Sequence, residues 1–73
     1  MMMIIEEVRT DTPQGAIATH FMSWKGLKDA KCIGVERVEG EHLWYFVFEA
    51  GGQEVELEVS YDGEWDVEVV HTA

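Results

Sequence analysis

Two segments near the end of the chain alternate strictly between apolar and acidic residues. One reads Glu54-Val55-Glu56-Leu57-Glu58-Val59 and the other Glu64-Trp65-Asp66-Val67-Glu68-Val69. A period of two marks a half-buried β-strand, with carboxylates on one face and valine, leucine and tryptophan on the other. Upstream, Leu43-Trp44-Tyr45-Phe46-Val47-Phe48-Glu49 has the aromatic and β-branched content of a strand. Gly51-Gly52 follows as a two-residue hairpin loop of the kind that needs positive φ. Closing that loop with Ala50 opposite Gln53 sets Phe48 by Val55, Phe46 by Leu57 and Trp44 by Val59, so the apolar faces coincide.

The next turn tests the phase. A two-residue loop at Asp62-Gly63 would place Val59 against Asp66 and mix the faces. A three-residue loop, Tyr61-Asp62-Gly63 with Gly63 in a left-handed bulge, restores it. Val59 then faces Trp65, Leu57 faces Val67, Glu58 lies opposite Asp66 and Glu56 opposite Glu68. The expected result is a two-stranded ladder of carboxylates.

Lys31 to Val38 reads as another strand, turning at Glu39-Gly40, with Ile33 and Val35 on the core face. Cys32 then points away as a small strand residue. A four-stranded antiparallel meander of this kind has one apolar face that needs cover. The cover is a helix from about Pro13 to about Lys25. Thr12 suits the N-cap, Pro13 the first helical position and Gly26 the stop. Ile17, Phe21 and Trp24 form its apolar stripe. Gly15 and Thr19 weaken helix formation, and Ala16 to Trp24 also admits a strand reading. Ile4 to Arg9 is expected to add a further strand at a sheet edge. The fold class is therefore α+β, one helix on a four- to five-stranded antiparallel meander. In the order of its elements the chain resembles cystatin-like folds, and its C-terminal part resembles the helix-plus-three-strand PepSY inhibitory domain.

Seventy-three residues form a single domain, 1–73. A chain of this size hides only about 60% of its unfolded surface, so its stability is expected to be modest. Cys32 is the single cysteine, which excludes an intramolecular disulfide and a cysteine-cluster zinc site. Met1-Met2-Met3-Ile4-Ile5 is apolar but lacks the pattern of a signal peptide, and no run is long enough for a membrane helix. The expected location is cytoplasmic.

Charge sharpens the functional reading. Fifteen acids against five bases give a net charge of −10. Phosphate contacts need lysine and arginine, so direct binding to nucleic acid or to an anionic membrane is not expected. The natural counterpart is a basic protein surface. Paired rows of carboxylates on adjacent strands would hold about one charge per 3.4 Å, close to that of one nucleic-acid strand. In this the chain resembles a functional class: small, acidic, phage-encoded or anti-defence inhibitors of nucleases, repair enzymes and CRISPR effectors. The expected function is an interaction module that mimics nucleic-acid charge to block a basic site on a nucleic-acid-binding protein. The partner-binding residues would be Glu54, Glu56, Glu58, Glu64, Asp66 and Glu68, with Tyr45 and Val47 as apolar contacts on the same face. The N-terminal segment covering that apolar patch is the duller alternative. Homodimerisation through the face is another, which the facing charges oppose. The competing function is a structural or accessory domain whose acidity serves solubility or life in high salt.

Other chemistry finds little support. His20, His42 and His71 come from separate segments, without the short spacing of a metal site. The paired carboxylates lie on an open face rather than in a pocket that separates their pKa values. Gly51-Gly52 lacks the helix and lysine of a phosphate loop. Lys25, Lys28 and Lys31 suit the negative end of the helix. No enzyme activity, cofactor or metal is expected.

Overall fold

The computed structural model describes residues 2–73. Five strands and one helix follow in the order β1 (Met3–Ile5), α1 (Pro13–Trp24), β2 (Lys31–Val38), β3 (Leu43–Ala50), β4 (Gln53–Tyr61) and β5 (Trp65–Thr72). All neighbours pair antiparallel, and the spatial order β1-β2-β3-β4-β5 equals the chain order. The helix lies against β3, β4 and β5 on one face of this meander.

The β3–β4 hairpin has the register expected from its apolar pattern. Phe48 pairs with Val55, Phe46 with Leu57 and Trp44 with Val59. Gly51 and Gly52 close it at φ 57 and 83, where a side chain would be strained. The apolar side chains of this hairpin, with Val35, Ala18 and Met22, make the core. Phe46, Phe48, Met22, Leu57 and Val59 are fully buried, each contributing roughly 1.5–3 kcal/mol.

The helix starts as expected, with the Thr12 hydroxyl accepting from the Gly15 N–H at 3.0 Å. Its buried face differs. Gly15, Ala18 and Met22 face inward, Ile17 and Phe21 are only partly buried, and Trp24 is 75% exposed. Gly15 explains the rotation. A Cβ there would lie 2.6 Å from the Thr10 Cα, so the incoming chain crosses the helix where no side chain stands. This glycine is a packing requirement, not a weak point in the helix.

Two edges of the reading also move. The first strand is only Met3–Ile5 rather than Ile4 to Arg9; beyond the Glu6 N–H bond to the Val35 carbonyl, the chain leaves the sheet toward the helix. In β2, the register slips between Cys32 and Gly34. Cys32 therefore pairs with Phe48 on the core side, while Ile33, at the bulge, is 42% exposed. A bulge sets two residues against one and re-aims the side chains beside it.

Candidate protein-binding face

Strand alternation fixes what stands on the face opposite the helix, because directly paired residues share a side. β4 contributes Glu54, Glu56, Glu58 and Ser60. β3 contributes Leu43, Tyr45, Val47 and Glu49 opposite them. From β2 come Lys31, Gly34 and Glu36, and from β1 Ile5 beside Glu36. Among the described residues the N-terminal segment does not cover this face: β1 extends the sheet, and Glu6 to Thr10 and Thr12 line cavities on the helix side with Val35, Phe46 and Phe48.

β5 completes the face in a register that differs from the expected one. Tyr61 pairs with Trp65, Ser60 with Asp66, Val59 with Val67 and Glu58 with Glu68. The loop keeps three residues, but they are Asp62, Gly63 and Glu64, so the pairing shifts by two positions and each side chain keeps its face. Gly63 takes φ 105 as anticipated. The cause is aromatic. The Tyr61 and Trp65 rings approach to 4.7 Å, and Trp65 also meets Trp44 at 5.9 Å. A cross-strand aromatic pair outweighs one more carboxylate in the ladder. Glu64 consequently sits in the turn, its N–H directed at the Asp62 carboxylate at 3.4 Å.

A second irregularity, between Glu56 and Leu57, leaves Val70 as the extra residue and brings His71 opposite Glu56. The two acidic rows are thus incomplete. Glu58 and Glu68 face each other directly, Glu49 faces Glu54 across β3 and β4, and Asp66 faces Ser60. The expected Glu56–Glu68 and Glu58–Asp66 pairs do not form. Glu54, Glu56, Glu58, Asp66 and Glu68 nevertheless share one side with Tyr45 and Val47, and only Glu64 falls outside it. His71 is the member of this face that strand periodicity missed, because a bulge leaves no mark in a two-residue period.

Tyr45 anchors the centre. Its hydroxyl donates to Glu58 Oε2 at 2.7 Å. The carboxylate acceptor, with smaller contributions from burial and from the charges of Glu58, Glu56 and Glu41, raises the phenol pKa above its ordinary 10.0. Gly34 stands beside Val47 with no side chain of its own, so Tyr45 and Val47 form a low apolar island between acids. Val38, on the same side by alternation, is buried outside the helix-side core. Among the described residues Lys31 is the one lysine or arginine on this face. Arg37 lies on the helix side within 3.7 Å of Glu6, and Arg9 pairs with Asp11 at 2.8 Å.

At the turn end of the helix side, His42, Trp44, Trp65 and Tyr61 form a closed circuit in which each ring lies 4.7 to 6.1 Å from two others. The buried indole N–H of Trp44 finds no hydrogen-bond partner among the described residues. Cys32 is half buried; desolvation raises its thiol pKa, a weak contact to the Gly34 carbonyl at 3.7 Å opposing it. Among the described residues no three His, Cys, Asp or Glu side chains gather as a metal-holding group. None of the helices of the described residues is long and apolar enough to cross a membrane.

The chain matches no protein-family model, no curated protein and no solved structure. The resemblance to cystatin-like folds and to the PepSY domain therefore remains one of element order.

Proposed function

We propose that this domain binds a basic surface on another protein through its open acidic face, and that by presenting phosphate-like charge it occupies a nucleic-acid site on that partner. One observation carries the reading: Glu58 and Glu68 are paired directly across two strands of an uncovered face. Opposed like charges weaken a sheet, and two carboxylates about 5 Å apart repel by roughly 1 kcal/mol even in water. Solubility is served as well by acids placed apart, as Glu6, Asp11, Asp29 and Glu39 are in the loops and turns. Concentrating them around Tyr45 and Val47 gives an apolar anchor ringed by steering charge, the usual anatomy of a protein-binding surface. The rigid sheet holds the charges in place before binding, which limits the ordering cost.

The test is capture by the immobilised protein, with heparin as competitor. Supporting this function requires bound proteins that heparin or short duplex DNA displaces and that a Glu56→Lys/Glu58→Lys/Glu68→Lys variant, folded by circular dichroism, fails to hold. Partners indifferent to both the polyanion and the substitutions would return the protein to the accessory-domain reading, in which acidity serves solubility.

A further inference from the structure

The free edge of β5 carries the inference furthest. Glu54 and Ala73 exchange both backbone hydrogen bonds, at 2.8 Å each, and the Tyr61 N–H bonds the His42 carbonyl beside β3. Backbone direction alternates along an antiparallel strand. Glu54, Glu56, Glu58 and Ser60 therefore aim their backbone groups at β5, and Asp66 and Glu68 aim theirs back at β4. Trp65, Val67 and Val69 are left with N–H and C=O groups directed away from the sheet, because β5 is the last strand.

The two edges of the sheet are not alike. β1 ends the opposite side after three residues. β5 runs for eight residues, Trp65–Thr72, with no proline or lysine to deter pairing. Its protective features are the bulge at Val70 and the carboxylates of Asp66 and Glu68. Trp65, Val69 and Val70 stay 37%, 39% and 43% exposed, so the strand offers apolar surface as well as free backbone.

Resting on the proposed function, we infer that β5 is a strand-addition site, and that its occupant is an extended segment of the basic partner with alternating basic and apolar side chains. The added strand would bond to the outward backbone of Val67 and Val69. Its basic residues would stand beside Asp66 and Glu68, and its apolar residues beside Trp65, Val67 and Val69. Main-chain bonding supplies affinity in this mode, and alternate side chains supply specificity. A second copy of the chain suits the edge poorly. Pairing two β5 strands would crowd Asp66 and Glu68 of both copies together, between two molecules of net charge −10.

The probe is a short synthetic peptide alternating lysine and valine, compared with a peptide of the same composition in which the lysines are contiguous. Amide hydrogen exchange is followed residue by residue. The alternating peptide is expected to slow exchange at Val67 and Val69 at least about tenfold, and the contiguous peptide is not. A Val67→Pro variant removes one outward N–H without breaking a bond to β4, a placement proline tolerates on an edge; it should weaken the alternating peptide alone. Should that variant fail to fold, the exchange data on the wild-type protein decide. Equal binding of both peptides overturns the inference. So does perturbation confined to Tyr45, Val47 and Glu56, which would leave the acidic-face reading standing. Slowed exchange at Val67 and Val69 that grows with protein concentration, without peptide, would assign the edge to a second copy instead.

Discussion

The Tyr45 hydroxyl donates to the Glu58 carboxylate at 2.7 Å, across the β3–β4 pair and in the middle of the acidic face. This bond exists only while the phenol keeps its proton. The folded pKa is raised above the ordinary 10.0, so its contribution to stability is fully present below about pH 10 and is lost as pH rises through the folded value. In a Tyr61→Phe background, the ultraviolet phenolate band of Tyr45 should appear at higher pH than free tyrosine requires, and Glu58→Gln should bring it back down. Tyr45→Phe should cost about 1 kcal/mol in chemical denaturation, below the roughly 1.5–3 kcal/mol of a bond to a charged group because solvent reaches the pair.

Glu58 and Glu68 occupy directly opposed positions, as do Glu49 and Glu54. Relieving one of these contacts should help the fold. Glu68→Gln is expected to stabilise the domain by roughly 0.2–1 kcal/mol at low salt, with the gain shrinking as sodium chloride is added. Thermal denaturation of both proteins across a salt series checks this. A melting temperature of the wild type that ignores salt would mean the charges are not crowded.

Gly15→Ala sets helix propensity against packing. Alanine is favoured over glycine in a helix by about 1 kcal/mol. Its Cβ, however, would meet the Thr10 backbone at 2.6 and 2.9 Å, atoms that cannot swing aside like the end of a side chain. Packing should win: an overpacking cost of about 1–3 kcal/mol, less the propensity gain of about 1 kcal/mol, leaves a net loss of up to about 2 kcal/mol in urea unfolding.

Trp44 and Phe46 are neighbours in β3 of unequal worth. Phe46→Ala opens a cavity under the helix and should cost about 3–5 kcal/mol. Trp44→Phe loses apolar area but also removes the buried indole N–H that has no partner among the described residues. Eliminating such a donor recovers about 1–3 kcal/mol of desolvation penalty. Its denaturation midpoint should stay within about 1 kcal/mol of the wild type.

Much of the sheet was legible because strand periodicity has only two phases. Once Gly51-Gly52 is taken as the turn, Phe46 can meet only an apolar partner, and Leu57 is the one in register. The same rule kept Glu56, Glu58, Asp66 and Glu68 on one side, even though the β4–β5 pairing moved by two positions. Periodicity is blind to a shift of two, and the Tyr61–Trp65 contact that decides between the registers depends on ring packing, not on pattern. The bulges at Ile33 and Val70 escaped for a related reason: each inserts a residue without changing composition. In the helix, Ile17 and Trp24 suggested the inward stripe by their hydrophobicity. The small residues Gly15 and Ala18 took that position because the chain before the helix passes so close.

The most direct measurement is the release of nucleic acid from a protein captured by the domain and displaced by heparin. A labelled duplex bound to that protein is followed by fluorescence anisotropy as the domain is added. Charge mimicry predicts that the wild-type domain drives the anisotropy down to that of free duplex, that added salt weakens the effect, and that Glu56→Lys/Glu58→Lys/Glu68→Lys leaves the duplex bound. Anisotropy that holds or rises on addition of the wild-type domain, as a ternary complex would give, contradicts it.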